Sequence, residues 1–157
     1  MPIEIRRMEE CDLQGAAQVH CLAFPRQQQS GLWIQCNFRA FPRMQLFVAL
    51  EDGEVIGFIL WTQKSGFRPQ TVLELEQIAV RPDHQEQGIG EKLITESLST
   101  VRRQLTEVGF ALKSVLVTTR IDNQAQRLYQ KALGAESVAI IQDLYSGDEV
   151  LMLRRFE

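Results

Sequence analysis

Histidine, cysteine and positive charge are in short supply in this chain, and each shortage removes a kind of chemistry. There are two histidines, His20 and His84, and three cysteines, Cys11, Cys21 and Cys36, with no C-x-x-C or zinc-like spacing. A metal centre or a Ser-His-Asp arrangement has little to be built from, and an odd number of scattered thiols fits reduced cysteine better than a disulfide framework. Seventeen Lys+Arg against twenty Asp+Glu give a net charge of −3, so no broad basic face awaits a phosphate backbone and no nucleic-acid partner is expected. The longest apolar run, Val55 to Trp61 with Gly57 counted, is seven residues, far short of the roughly 18 to 20 that cross a bilayer. No membrane partner is expected either. The first ten residues mix acids with bases and lack an apolar stretch before a cleavage site, which reads as no secretory signal and a cytoplasmic protein. Linkers, repeats and low-complexity stretches are missing too, so the 157 residues read as a single domain, residues 1–157, within the usual size of about 100 to 200 residues. With 45% hydrophobic and 24% charged residues that domain can bury a real core.

What is present is an alternation of strand and helix signals. Ile3 and Ile5 alternate with charges as a first strand, and Asp12 offers an N-cap oxygen to a helix carrying Leu13, Ala16, Ala17 and Cys21. Segment 25–43, rich in Gln, Arg, Pro and aromatics, reads as a long functional loop with some helix. Leu46–Leu50 and Val55–Thr62 flank Asp52-Gly53, a strong hairpin signal. Val72–Val80 reads as a strand in which Val72, Glu74, Glu76, Ile78 and Val80 share one face if the pleat is regular. From Ile89 the apolar positions step by three and four to Val108, giving a helix of about five turns that stops at Gly109. Ser114–Thr119 is a β-branched strand. Ala125, Leu128, Tyr129, Ala132 and Leu133 keep helical spacing up to Gly134, and Val138–Tyr145 with Val150–Phe156 close the chain as a hairpin. About seven strands and three or four helices, with antiparallel pairs at both ends and two strand-to-helix units between, make an α+β fold on a mixed, mostly antiparallel sheet.

The chemistry concentrates in Ile78-Ala79-Val80-Arg81-Pro82-Asp83-His84-Gln85-Glu86-Gln87-Gly88-Ile89-Gly90, a strand, a tight loop and a helix start in succession. Glycines at 88 and 90 let backbone N–H groups converge, and the helix adds its own unpaired N–H groups and positive dipole end. Such a loop holds an anion; the plainer alternative is that the glycines only turn the chain. A Walker loop fails on spacing, because Glu91 separates Lys92 from Gly90, and a dinucleotide fingerprint fails because Leu93 stands where the third glycine belongs.

Gln85-Glu86-Gln87-Gly88-Ile89-Gly90 resembles the [QR]-x-x-G-x-[GA] acetyl-CoA loop of the GNAT superfamily of N-acetyltransferases, matching every fixed position, and the order of elements resembles that family over nearly the whole chain. The resemblance implies a sheet splayed between the strands ending near Val80 and Thr119, with acetyl-CoA as co-substrate and no metal. The backbone of Ile78, Ala79 and Val80 would meet the pantetheine arm and the thioester carbonyl, and the main chain of Gln85, Glu86, Gln87, Gly88, Ile89 and Gly90 would hold the pyrophosphate. Asp122-Asn123-Gln124-Ala125-Gln126-Arg127-Leu128-Tyr129 is similar to the family's N-x-x-A-x-x-L-Y. Asp122 falls at the Asn position, Asn123 fits only with a residue missing, and Gly134 comes one residue later than usual, so either Asp122 or Asn123 meets the cofactor.

By the same resemblance Tyr129 is the general acid, set near the cofactor sulfur. A phenol near pKa 10 facing a thiolate near 8.5 gives up its proton uphill by about 2 kcal/mol, so Tyr129 is expected to stabilise the thiolate by a hydrogen bond first, unless its pKa is lowered. An amine of pKa about 10.4 must lose a proton before attack. Glu74, which matches the base position of the histone-acetylating branch, and Glu76 are candidate bases, with a water relay as the alternative. Phe24, Trp33, Phe38 and Phe41 either wall an acceptor pocket or cover the core, and Arg26, Arg39 and Arg43 stand ready for an acceptor carboxylate. His84 and His20 read as structural or surface residues, and a cysteine nucleophile is not favoured. The expected function is acetyl transfer from acetyl-CoA to a primary amine by direct attack, on a small molecule or a peptide. The rival readings are a non-catalytic acyl-CoA sensor or partner-binding module, and this topology with another phosphate-bearing ligand. Dimers are frequent among similar proteins, so a homodimer is an open expectation.

Overall fold

A computed structural model describes residues 2–157. The strands are β1 (Ile3–Arg7), β2 (Met44–Glu51), β3 (Glu54–Gln63), β4 (Gln70–Val80), β5 (Ala111–Arg120), β6 (Glu136–Ile141) and β7 (Glu149–Arg155). The helices are α1 (Leu13–Ala23), α2 (Ser30–Arg39), α3 (Ile89–Glu107) and α4 (Ala125–Leu128), which runs on into a π-helical turn, Tyr129–Leu133. The strands form one sheet in the order β1-β2-β3-β4-β5-β7-β6, antiparallel except for β4 with β5. This is the α+β fold expected from the alternation of elements.

Helices cover both faces of the central strands. The stripe Ile89, Leu93, Ile94, Leu98, Val101 and Leu105 of α3 joins Phe47, Ile59, Trp61, Leu73 and Leu75 of the sheet in one core, while α1 and α2 bury Ala16, Val19 and Ile34 against Val48, Phe58, Leu60 and Ala79 on the other face. β3, sandwiched between the layers, is apolar on both faces, and burying each of its large side chains contributes about 1.5 to 3 kcal/mol. Trp61 completes its burial by donating from Nε1 to Ser97 Oγ at 2.8 Å.

Several sequence expectations shift. Segment 25–43 is largely the ten-residue helix α2, not a loop, and Phe24, Trp33 and Phe38 pack against the second core. Asp12 makes no side-chain cap for α1; its carboxylate instead takes Arg6 at 2.7 and 3.1 Å and the Glu9 amide at 2.7 Å. Cys21 is exposed on α1. β6 ends at Ile141 and Tyr145 stands exposed in the turn beyond it. The helix after Ala125 is a single α turn and a π turn. The π turn takes up one extra residue, which is the residue by which Gly134 lags the family pattern. Gly134 ends it at φ +73°.

Candidate functional site

The site begins with a flaw in strand pairing. The β3–β4 register steps from Leu60–Gln77 to Trp61–Leu75, leaving Glu76 as a bulged residue with no partner of its own. A bulge bends its strand and reverses the alternation of faces beyond it. Leu73 and Leu75 therefore share the α3 face with Ile78 and Val80, while Ala79 turns to the α1–α2 face. Glu74 and Glu76, alternating with Leu73 and Leu75, also stand on the α1–α2 face, as does Gln77, which is bonded to Trp33. The single face expected for Val72, Glu74, Glu76, Ile78 and Val80 is corrected accordingly: the bulge keeps the two glutamates together and sends Ile78 and Val80 to the opposite side.

Past the bulge β4 leaves its neighbour. β4 and β5 pair from Gln70–Ala111 to Glu74–Leu116 and no further, while β4 stays with β3 as far as Val80 and β5 stays with β7 as far as Arg120. A wedge opens between Val80 and Arg120. Arg81 N–H donates to Ile56 O on β3 at 2.7 Å; because alternate residues of an antiparallel strand turn their polar groups to the same side, Ala79 also faces β3 and the N–H and C=O of Ile78 and Val80 face the wedge.

At the mouth of the wedge lies the loop into α3. From Gln85 through Glu91 no backbone N–H has an acceptor among the described residues; the first bonded one is Lys92 N–H on Gly88 O at 3.1 Å. Glu86 and Gly88 adopt positive φ, +63° and +79°, and such left-handed residues turn successive amides into one concavity. The glycines do different work. A Cβ on Gly88 would meet open space, so that glycine serves the backbone angle, whereas one on Gly90 would come within 3.2 Å of Leu128 Cδ2, so that one lets α3 close on α4. The loop is anchored by Ile89 in the core, by Gln85 Nε2 on Val80 O at 3.1 Å, and by His84, held between Asp83 at 2.8 Å and Glu51 at 3.0 Å. The carboxylates of Asp83 and Glu51 raise the pKa of His84.

Tyr129 is 6% exposed, and its hydroxyl has no hydrogen-bond partner among the described residues; burial pushes its pKa up to about 12. Asn123 Oδ1 accepts the Ala125 amide at 2.8 Å and so starts α4, while Asp122 pairs with Arg120 at 3.2 Å. Glu74 pairs with Lys64 at 3.0 Å. The carboxyl of Glu76 is raised by burial and by the charge of Glu74, against the opposing pull of Lys64 and Arg43. Phe41 lies out on the surface over Arg7. Nothing in the sequence singles out Gln27 and Gln77, which tie the α1–α2 connection to β4 at 3.0 Å; ordinary polar residues reveal such roles only once the fold pairs them.

Residues 13–135 match the model of a family described as the acetyltransferase (GNAT) family. No curated protein matches the chain in sequence. Among solved structures, Ard1 from Thermoplasma volcanium aligns with a TM-score of 0.81 at 22% identity, over 100% of this chain and 99% of that one. The ribosomal-protein-S18-alanine N-acetyltransferase from Escherichia coli gives 0.75 at 22% identity over 98% and 94%. Arabidopsis thaliana NAA60 in complex with acetyl-CoA gives 0.77 at 19% identity over 98% of both chains. At these identities the likeness is one of fold.

Proposed function

The chain belongs to the acetyltransferase (GNAT) family, and from that premise we propose that it carries an acetyl group from acetyl-CoA to a primary amine by direct attack. The observation that supports this most is the row of unpartnered amides from Gln85 to Glu91 beside an open wedge of sheet: together they suit a diphosphate and an extended, strand-like arm. Acetyl-CoA, when bound, supplies a thioester carbonyl to be attacked and a thiolate to leave. The main-chain N–H groups of Ile78 and Val80, turned into the wedge, polarise that carbonyl, and the amides of Gln85 to Gly90 hold the diphosphate. Either Asp122 or Asn123 lies against the cofactor; Asn123 is already committed to the start of α4.

The proton bookkeeping sets each side chain's role. As the C–N bond forms the amine loses a proton, and as the C–S bond breaks the thiolate gains one. Glu74 and Glu76 gather the ammonium and pass its proton towards water. Tyr129, its pKa pushed up to about 12, would give a proton to a thiolate near 8.5 at a cost of roughly 5 kcal/mol. Its part is therefore to donate a hydrogen bond to the sulfur, which takes its proton from solvent.

Thiol release from acetyl-CoA over a panel of amines, beside calorimetry with acetyl-CoA, ATP and NAD, tests this reading. Amine-dependent release and selective acetyl-CoA binding are expected. Tight binding without release from any amine would leave a non-catalytic acyl-CoA module, and a preference for ATP or NAD would remove the assignment.

A further inference from the structure

A hydrogen-bonded chain on the α1–α2 face has a polarity that one residue dictates. An indole N–H can only donate, so Trp33 Nε1, 2.8 Å from Gln77, requires the Gln77 oxygen there. The Gln77 Nε2 then donates to Gln27 Oε1 at 3.0 Å. With its oxygen so placed, Gln27 also accepts from His20 Nε2 at 3.0 Å, which leaves His20 Nδ1 to accept from Ser30 Oγ at 2.7 Å. His20 is fully buried among Phe24, Trp33 and Phe58, and burial lowers its pKa, so the neutral tautomer this chain demands is the one its surroundings favour. Gln27 Oε1 is filled by two donors and Gln77 Oε1 is engaged by Trp33. What is left over is mostly donors: both N–H groups of the exposed Gln27 amide and the second N–H of Gln77, against one lone pair of Gln77 Oε1, on the same face of β4 as Glu74 and Glu76.

We propose that Gln27 and Gln77 select an acceptor whose amine has a carbonyl oxygen beside it, an α-amino group of a peptide or amino-acid amide, in preference to a plain alkylamine. Two carboxylates attract the ammonium, and adjacent amide donors take the carbonyl; an alkylamine leaves those donors unmatched, and an unmatched polar group in a site discriminates more strongly than a missing methylene. The acidity of the acceptor points the same way. An α-ammonium near pKa 8 yields its proton to a raised carboxyl far more readily than a lysine-type ammonium near 10.4. The inference rests on the acetyl-transfer reading above.

The test compares kcat/KM on a tetrapeptide with a free N-terminus and on isobutylamine, for the wild-type chain and for Gln27→Glu. The substituted carboxylate still accepts from His20 and Gln77, keeping the inward chain, but turns an acceptor outward. The expected result is a wild-type preference for the peptide and a fall in the peptide-to-alkylamine ratio of about tenfold or more in the variant, carried by KM for the peptide. Thermal melting and acetyl-CoA calorimetry check that the variant is folded. Thiol release in which the ratio is unchanged by Gln27→Glu, or in which the wild type favours isobutylamine, overturns the inference and leaves acetyl transfer standing. No thiol release with either amine overturns the inference, and no release across the whole panel of amines overturns both.

Discussion

At the scale of single residues the proposed site holds two groups displaced from their ordinary acidity in the same direction. Tyr129 is buried without a hydrogen-bond partner among the described residues, and burial pushes its pKa up to about 12, so it stays protonated across the working range. Tyr129→Phe should lower kcat about 10²-fold, the usual cost of one preorganised donor, while acetyl-CoA binding by calorimetry stays within a factor of a few. The alkaline side of the pH profile should show no limb from this phenol. The proposed role of Glu76 as base requires its deprotonated form, so activity should rise with pH as its raised carboxyl ionises. Glu76→Gln should abolish that acidic limb. Glu74→Gln, which removes a like charge, should move the limb to lower pH. A pH series of kcat/KM with each variant decides; an unmoved limb in Glu76→Gln would hand the proton to water.

At the scale of elements the bulge and the close approaches matter more than the strands themselves. Gly57 on β3 shows why: a Cβ there would stand 2.9 Å from Ala79 O and 3.3 Å from Leu93 Cδ1, pressing at once on β4 and on α3. Gly57→Ala should cost about 1 to 3 kcal/mol by overpacking, read as a lower denaturant midpoint. The strand pattern, the Asp52-Gly53 hairpin and α3 were all legible, because alternation, turn chemistry and a three-and-four spacing are written locally. The bulge at Glu76 was not. Val72, Glu74, Glu76, Ile78 and Val80 alternate without a break in the sequence, and only pairing with Leu60 and Trp61 across the sheet shows the slip. The π turn was legible only as a one-residue misfit before Gly134. Asp12 misled in the opposite sense: its place before a helix suggested a cap, yet Arg6 on β1, reached only through the fold, claimed it. The loop from Gln85 to Gly90 was readable as a row of unpaired amides because such amides depend on neighbours in the chain.

For the whole molecule, two ionisable groups outside the strands, Asp12 before α1 and His84 in the loop before α3, bracket its stability. Asp12 is held below the usual carboxylate range: burial works to raise it, but the Arg6 guanidinium and the Glu9 amide prevail. Its contribution is present above the unfolded pKa near 3.9 and lost as pH falls through the lower folded value. His84 is raised, so its contribution is full below the unfolded pKa near 6.5 and lost as pH rises through the higher folded value. The melting temperature should therefore decline on both sides, and His84→Gln should flatten the neutral-to-alkaline decline while leaving the acid one. An unchanged alkaline slope in that variant would place the decline elsewhere. The wedge between β4 and β5 has a different kind of consequence. Its inner edge at Ile78 and Val80 is main chain, and main chain is common to all twenty amino acids save one. Genetic drift can exchange either side chain for others that fit the core behind without altering the atoms on offer; proline alone deletes a donor there, so the donors survive every substitution that the packing tolerates.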